Sequence, residues 1–460
     1  MIAPKKIFGT DGVRGTANVE PVTAETALKL GRAAAHVFKK LNKQARGYGK
    51  HKIVIGKDTR LSGYMLENAI SSGILSMGVD VLFIGPLPTP GVAYITRSLR
   101  ADAGIVITAS HNPYADNGIK FFRADGYKLD DKIEGQIEGL VFSGEIEKVR
   151  PAAEEIGKAV RIDDALGRYI EFAKAGFPKH LTLENFRIVV DCGHGAAYKS
   201  TPCVLRELGA EVIVFANQPD GKNINENCGS MYPQALCQKV VEHKANLGIA
   251  HDGDADRVLL CDENGKLIDG DDIMAIAALD MLAQKTLAEK TLVATVMSNA
   301  GLEAAIKTAG GKIIRTAVGD RNVIDEMLKN GYNFGGEQSG HLIFRDFSTT
   351  GDGLVAALQI LRIMREKKTS LSKLAKCWTR FPQLVTNVKV REKVPFEQLD
   401  GLLKLVSSAE TELKSAGGRV LLRYSGTEPK ARLLLEGRDE KSLKGWSQKI
   451  CGVIDKQIGA

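Results

Sequence analysis

The chain has 460 residues, 44% of them apolar and 26% charged, enough for about three domains that each bury a core. Seven cysteines without a Cys-x-x-Cys pair exclude a disulfide framework and a zinc site, and point to reduced thiols and a cytoplasmic location. A net charge of +8 spread along the chain, with aromatics at only 6%, argues against nucleic acid and suits a small anionic substrate.

The opening Met1-Ile-Ala-Pro-Lys-Lys-Ile has no long apolar core behind its charges, so no secretory signal is expected. After Phe8-Gly-Thr-Asp-Gly-Val-Arg14-Gly, apolar residues at helical spacing predict a helix over 23–41. A repeating pattern then begins. Residues 52–58 read as a buried strand, 63–77 as a helix and 78–84 as a second strand, a βαβ unit. It returns as strand 187–191, helix 197–208 and strand 209–215, and again as strand 291–296, helix 301–309 and strand 310–314. In each copy a glycine (Gly78, Gly209, Gly310) follows the helix, where a left-handed cap costs glycine least. The best apolar run, 273–279, stops at Asp280, far short of a membrane span, and no membrane association is expected.

Each unit runs into a further strand that ends in a polar loop. Strand 104–108 leads to Thr108-Ala-Ser110-His111-Asn112-Pro113, strand 246–250 to His251-Asp-Gly-Asp-Ala-Asp-Arg257, and strand 332–335 to Gly336-Glu-Gln-Ser-Gly-His341. Polar clusters at three equivalent strand ends predict one shared cleft beyond the carboxyl edges of the sheets. Past residue 380 the pattern changes to strand 384–390, helix 396–414, strands 419–422 and 431–435, and a last helix. The expected fold is α/β: three related βαβ-containing domains (1–155, 156–255, 256–375) plus a smaller C-terminal α+β domain (376–460) around a central cleft.

Asp252, Asp254 and Asp256 alternate on a short turn and can converge on one hard cation, magnesium or calcium, with Gly253 allowing a tight bend. An EF-hand is excluded, because Arg257 stands where that loop needs glycine and the flanks read as strands; Asn264-Gly265 marks a hairpin turn just beyond. Three carboxylates leave room for a phosphate oxygen, which a phosphate on Ser110 would supply. Arg423-Tyr-Ser425-Gly426-Thr427, with Arg432 close behind, suits a tripodal phosphate on a turn between strands. Glu337, Ser339 and His341 alternate and, if extended, face one way, where they could read hydroxyl groups on a polar ligand. Lys120 and Arg14 are candidates for proton transfer and charge neutralisation. Gly193-His-Gly195-Ala-Ala-Tyr198 fails as a dinucleotide fingerprint at Tyr198, and neither a Walker loop nor a Gly-x-Ser-x-Gly elbow is present.

These motifs together resemble the α-D-phosphohexomutases over the whole chain. The Ser110 loop resembles that family's phosphoserine loop, 252–257 its metal loop, 337–341 its sugar loop and 423–427 its phosphate loop, in the family's order. The segment 8–15 and Gln338 are similar to the glucosamine branch; the mannose and glucose enzymes usually carry Met at that position. Ala255 stands where many relatives have Gly.

The resemblance implies four domains around a cleft and one Mg2+ per site held by Ser110, Asp252, Asp254 and Asp256. It implies a catalytic phosphate on Ser110, primed by a sugar bisphosphate or a kinase. Phosphorylated Ser110 would convert glucosamine 6-phosphate to glucosamine 1-phosphate through a bisphosphate, for cell-wall precursor synthesis. By the same resemblance Arg14, His111, Lys120 and His341 would assist transfer, and Arg257, Gly319, Asp320, Arg321, Glu337, Ser339, Arg423, Ser425, Gly426, Thr427 and Arg432 would bind the phosphosugar. Other readings are a mannose- or glucose-phosphate mutase of the same family, or a cation-binding protein on the same scaffold without turnover. Oligomeric state is not legible.

Overall fold

The expected repeat is present as three sheets with one strand order in the computed structural model, which describes residues 7–9, 11–41, 50–415, 417–425 and 429–460. The first sheet holds β1 (Val13–Thr16), β2 (Lys52–Lys57), β3 (Asp80–Pro86), β4 (Ala103–Ile107), β5 (Asp116–Arg123) and β6 (Ala159–Arg161), ordered β1-β5-β4-β2-β3-β6. The second holds β7 (Arg187–Asp191), β8 (Glu211–Phe215), β9 (Leu247–His251), β10 (Val258–Asp262) and β11 (Leu267–Ile268), ordered β11-β10-β9-β7-β8. The third holds β12 (Thr291–Thr295), β13 (Lys312–Thr316), β14 (Phe334–Gly336) and β15 (Leu342–Phe344), ordered β13-β12-β14-β15.

In each sheet three parallel strands are followed by a fourth that returns antiparallel, and the polar loop is that reversal. The central parallel strands are apolar runs covered on both faces, and every residue of β4, β9 and β12 is buried. Gly78, Gly209 and Gly310 take φ of +75°, +100° and +79°, the left-handed conformation expected at the helix ends.

Several boundaries differ from expectation. The first sheet extends to Arg161 and the second to Ile268, so the divisions at 155 and 255 each cut a sheet. The hairpin at Asn264-Gly265 forms, but β10 pairs with β9 and therefore belongs to the second domain. A polar loop between paired strands looks like a boundary in sequence and is none. The expected helix over 197–208 is a tight turn, Ala196–Tyr198, and then a helix, Ser200–Glu207. In the last domain the helix begins at Leu402 rather than 396, because Phe396–Gln398 is one isolated turn and Gly401 takes φ +74°.

That domain is a three-stranded antiparallel sheet, β16 (Gln383–Lys389), β17 (Arg419–Tyr424) and β18 (Lys430–Glu436), ordered β16-β18-β17. Its helices Leu402–Ser415 and Glu440–Ile458 bury a core separate from the one that runs continuously through the first three domains. It is joined to the third domain where Asn299 Nδ2 donates to the Phe381 carbonyl and the Phe381 N–H donates to Asn299 Oδ1, both at 2.9 Å, and where Arg419 donates to the Ser298 carbonyl at 2.7 Å.

Candidate active site

The reversal between β4 and β5 holds Ser110 in the left-handed region, φ +52°, and buries it. A non-glycine residue there is uncommon and persists where surrounding bonds over-determine it. Its hydroxyl donates to Asp252 Oδ2 at 2.6 Å, from the reversal between β9 and β10. His111 Nδ1 lies 3.3 Å from Ser110 Oγ, and burial, with Arg257 and Arg14 nearby, pushes its pKa down to about 4.

The aspartate loop is buried at all three carboxylates, which offer oxygens within 4.8 Å of one another. Burial and the like charges of Asp256 and Asp254 raise Asp252 well above the usual carboxylate range. Burial works the same way on Asp256, but His341 and Lys120 outweigh it and hold its carboxyl low. Asp254 Oδ1 and Asp256 Oδ1 are buried without a hydrogen-bond partner. Unpaired anionic oxygens converging in a buried turn are the donor set of a hard divalent cation, so the residues fit a magnesium ion.

Gly253, expected to allow a tight bend, is not left-handed; what it allows is a close approach. A Cβ there would meet the Ser110 carbonyl at 2.6 Å. The left-handed residue is Ala255, φ +55°.

Lys120 on β5 is fully buried, with its ammonium 2.9 Å from Asp11, 3.2 Å from Asp254 and 3.8 Å from Asp256. Burial pulls its pKa down, but the three carboxylates outweigh burial and raise it above the ordinary lysine value. Arg14 reaches the cluster through β1, which pairs antiparallel with β5, and its guanidinium meets Asp11 at 3.1 Å. Asp11 also takes Lys128 at 2.6 Å, and Lys128 pairs with Asp320 of the third domain.

His341 stands between Asp256 (3.6 Å) and Asp320 (3.4 Å), and the two carboxylates raise its pKa against the effect of burial. Arg257 and His341 form an antiparallel bridge, which stitches the second and third loops together. The Arg257 guanidinium lies 4.0 Å from Asp256. Glu337 is buried and accepts the Gly319 N–H at 3.0 Å.

Three expectations are corrected. The 337–341 segment is a turn, closed by the Gly340 N–H to the Glu337 carbonyl at 3.0 Å, so its residues do not alternate on one face; Glu337 and His341 are buried and Ser339 is exposed at the tip. The Arg321 guanidinium, expected to bind the phosphosugar, engages Asp131, Glu134 and the Leu129 carbonyl of the first domain. Arg423 and Arg432 sit on strands rather than on the turn, directly opposite each other across β17 and β18. Ser425 is buried beside them, and Gly426 and Thr427 lie outside the described residues.

Sequence reasoning missed Asp11, Lys128 and Thr89. Thr89, which opens a helix of the first domain, donates its hydroxyl to Asp254 Oδ2 at 2.8 Å. Asp11 lay in a quoted glycine-rich segment and was legible only as part of it; Thr89 and Lys128 carry no local signal. The rejected Gly193-His-Gly195 motif supports the aspartate loop, because the Ala196 N–H donates to the Gly253 carbonyl at 2.8 Å.

Models of the four phosphoglucomutase/phosphomannomutase domains match the chain: alpha/beta/alpha domain I over 5–148, domain II over 167–265, domain III over 269–381 and the C-terminal domain over 385–453. The chain is 58% identical over 455 residues to a phosphoglucosamine mutase of Geobacter metallireducens, covering 99% of each. A phosphoglucomutase/phosphomannomutase family structure from Burkholderia thailandensis superposes with a TM-score of 0.80 at 22% identity, covering 99% of both chains. An N-acetylphosphoglucosamine mutase of Aspergillus fumigatus, solved with GlcNAc-6P and magnesium, superposes with a TM-score of 0.68 at 17% identity, over 98% of this chain and 96% of that one.

Proposed function

The chain belongs to the phosphoglucomutase/phosphomannomutase family, and from that membership we propose that it interconverts glucosamine 6-phosphate and glucosamine 1-phosphate through a phosphoserine at Ser110. It is an isomerase of the phosphohexomutase kind. The observation that carries the phosphoserine reading is the Ser110 hydroxyl, 2.6 Å from Asp252 at the edge of a convergent buried acidic triad. A hydroxyl placed there can carry a phosphoryl group whose oxygen completes a cation's shell.

In the forward direction the bond from phosphorus to Ser110 Oγ breaks and a bond to the sugar's free hydroxyl oxygen forms. The hydroxyl proton takes the phosphoryl group's place on the serine. After the bisphosphate reorients, the other phosphoryl group returns to Ser110 and the second monophosphate leaves.

Asp252, Asp254, Asp256 and an oxygen of the Ser110 phosphate would hold one magnesium ion, which when bound neutralises charge that builds on the phosphoryl oxygens. The Lys120 ammonium, fixed by Asp11 and Asp254, offers positive charge on the flank. Arg14, His111, His341 and Arg257 surround the same point. Glu337, with Gly319 and Asp320, presents polar groups for sugar hydroxyls, and Ser339, Arg423, Ser425 and Arg432 complete the substrate set we assign. The Gln338 amide donates to Asp269 Oδ2 at 3.3 Å. Seven free cysteines suit a reducing cytoplasm, and among the described residues no helix is long and apolar enough to cross a membrane.

The test is an intact mass of the purified protein with peptide mapping, beside a coupled assay of Ser110→Ala. One phosphate on Ser110 of the wild type and an inactive, folded variant are expected; more than a trace of turnover by the variant defeats the reading. Competing glucosamine, glucose and mannose 6-phosphates at equal concentration should give the highest specificity constant for glucosamine, and a glucose or mannose preference overturns the sugar assignment.

A further inference from the structure

Among the described residues Arg60 is the largest side chain with no exposure, and every one of its five side-chain N–H groups is used. Nε donates to Asp58 Oδ2 at 2.9 Å. One terminal nitrogen donates to the carbonyls of Ser110 (3.0 Å) and Asn112 (2.7 Å), the other to those of Pro113 and of Asp116 (3.1 Å). Four carbonyls of the loop that bears Ser110 are thus gathered on one guanidinium.

Asp58 closes the circuit. Its Oδ2 accepts the Thr108 hydroxyl at 2.7 Å, and the oxygen of that hydroxyl accepts the Ser110 N–H at 2.9 Å. Both peptide groups of Ser110 therefore trace back to the Asp58-Arg60 pair. A second donor arrives from the neighbouring domain: Asn225 Nδ2 reaches the Ser110 carbonyl at 2.9 Å and the Asn112 carbonyl at 3.1 Å, held there by its own N–H on the Gly193 carbonyl at 2.9 Å.

A turn of this size needs one or two donors to satisfy its carbonyls, not six bonds from two side chains. The excess falls on a residue held at φ +52°, a backbone that serine does not favour unaided. We propose that Arg60, seconded by Asn225, is a positioning residue for phosphoryl transfer: it locks the left-handed backbone of Ser110 so that Oγ stays aimed at Asp252. The planar fork is essential, because a lysine ammonium has three donors in a tetrahedral array and cannot span four carbonyls. The inference rests on the phosphoserine reading and adds the device that sets the geometry of its nucleophile.

The test uses Arg60→Lys and Asn225→Ala in the full-length protein, with kcat and KM for the sugar phosphate, thermal unfolding, and the rate at which phosphate mapped to Ser110 is discharged to sugar. Misplacement of a reacting group by about 1 Å costs on the order of 10²-fold. Arg60→Lys should therefore lose about that factor in kcat, and Asn225→Ala roughly tenfold, with KM within about threefold and the Ser110 phosphate present but slowly discharged. If Arg60→Lys does not fold, Asn225→Ala decides alone. Folded variants with wild-type kcat, or a rise in KM at unchanged kcat, overturn the proposal while leaving the phosphoserine in place. An active Ser110→Ala removes the phosphoserine and this inference with it.

Discussion

Lys120 shows what one buried residue has to balance. Its ammonium is matched by Asp11 and Asp254 at 2.9 and 3.2 Å, so the charge is held rather than shed. A group in that state works by attraction, as a clamp on developing negative charge, and not as a free base. Lys120→Met should lower turnover by roughly 10²–10⁴, the span of a lost acid or electrostatic group, in a coupled assay at saturating substrate. The variant also takes from the buried Asp254 its ammonium partner, while Asp11 keeps Lys128 and Arg14, so its thermal midpoint should fall with the rate. An unchanged rate would move the neutralising role to Arg14. Lys120 was legible in the sequence only as a nearby cation. Its partners lie more than a hundred residues away in either direction, and only the pairing of β1 with β5 and the docking of the aspartate loop reveal them.

At the scale of elements, the aspartate loop depends on glycines that let backbones touch. A Cβ on Gly195 would stand 2.4 Å from the Gly253 carbonyl oxygen and 2.7 Å from its Cα, both backbone atoms that cannot swing away. Gly195→Ala should displace the loop and raise the magnesium concentration for half-maximal activity by about tenfold, the usual cost of disturbing a group that supports metal ligands. A metal titration identical to wild type would show that the loop is held from elsewhere.

The helix Gly353–Lys367 supplies a pH test. Asp352 caps it by accepting the Val355 N–H at 3.0 Å, and it also accepts the Tyr169 hydroxyl at 3.1 Å. Burial outweighs these bonds and raises its carboxyl to about 6. A carboxyl that binds its proton more tightly folded than unfolded favours the fold below about pH 4 and loses that advantage as pH rises through 6. Asp352→Asn keeps the cap and removes the titration. Relative to wild type it should gain up to roughly 3 kcal/mol of stability between pH 4 and 7.5, read by chemical denaturation. A constant difference across that range would place the titration in the unfolded state as well.

At the scale of the molecule, the site is an interface. Ser110 and Thr89 come from the first domain, the aspartates from the second, and His341 and Glu337 from the third, and a single apolar core runs beneath all three. A cation held by the aspartates and Ser110 would therefore fasten the first and second domains together. Magnesium at about 100 times its dissociation constant should add about 2.7 kcal/mol of stability by mass action. The thermal midpoint should rise with magnesium, fall with excess chelator, and respond to neither in Asp254→Asn. A wild type whose midpoint ignores both would refute cation binding at the triad.

From its sequence alone this protein was readable as three copies of one α/β unit with polar loops at equivalent strand ends, because burial on both faces of a parallel sheet imprints a local, repeating apolar pattern. The identity of the loops was readable too, since closely spaced aspartates and a serine after a buried strand are local signals. Where one copy ends was not: the loop at 252–257 resembles a boundary until β10 is seen to pair with β9. The partners of Lys128, Arg60 and Asn225 were also beyond it. Lys128 meets Asp320 across 192 residues and Asn225 meets Ser110 across 115. Such pairs follow no periodicity. They exist because three separately patterned sheets dock with their loop edges together, and only the tertiary structure decides which buried charges then find each other.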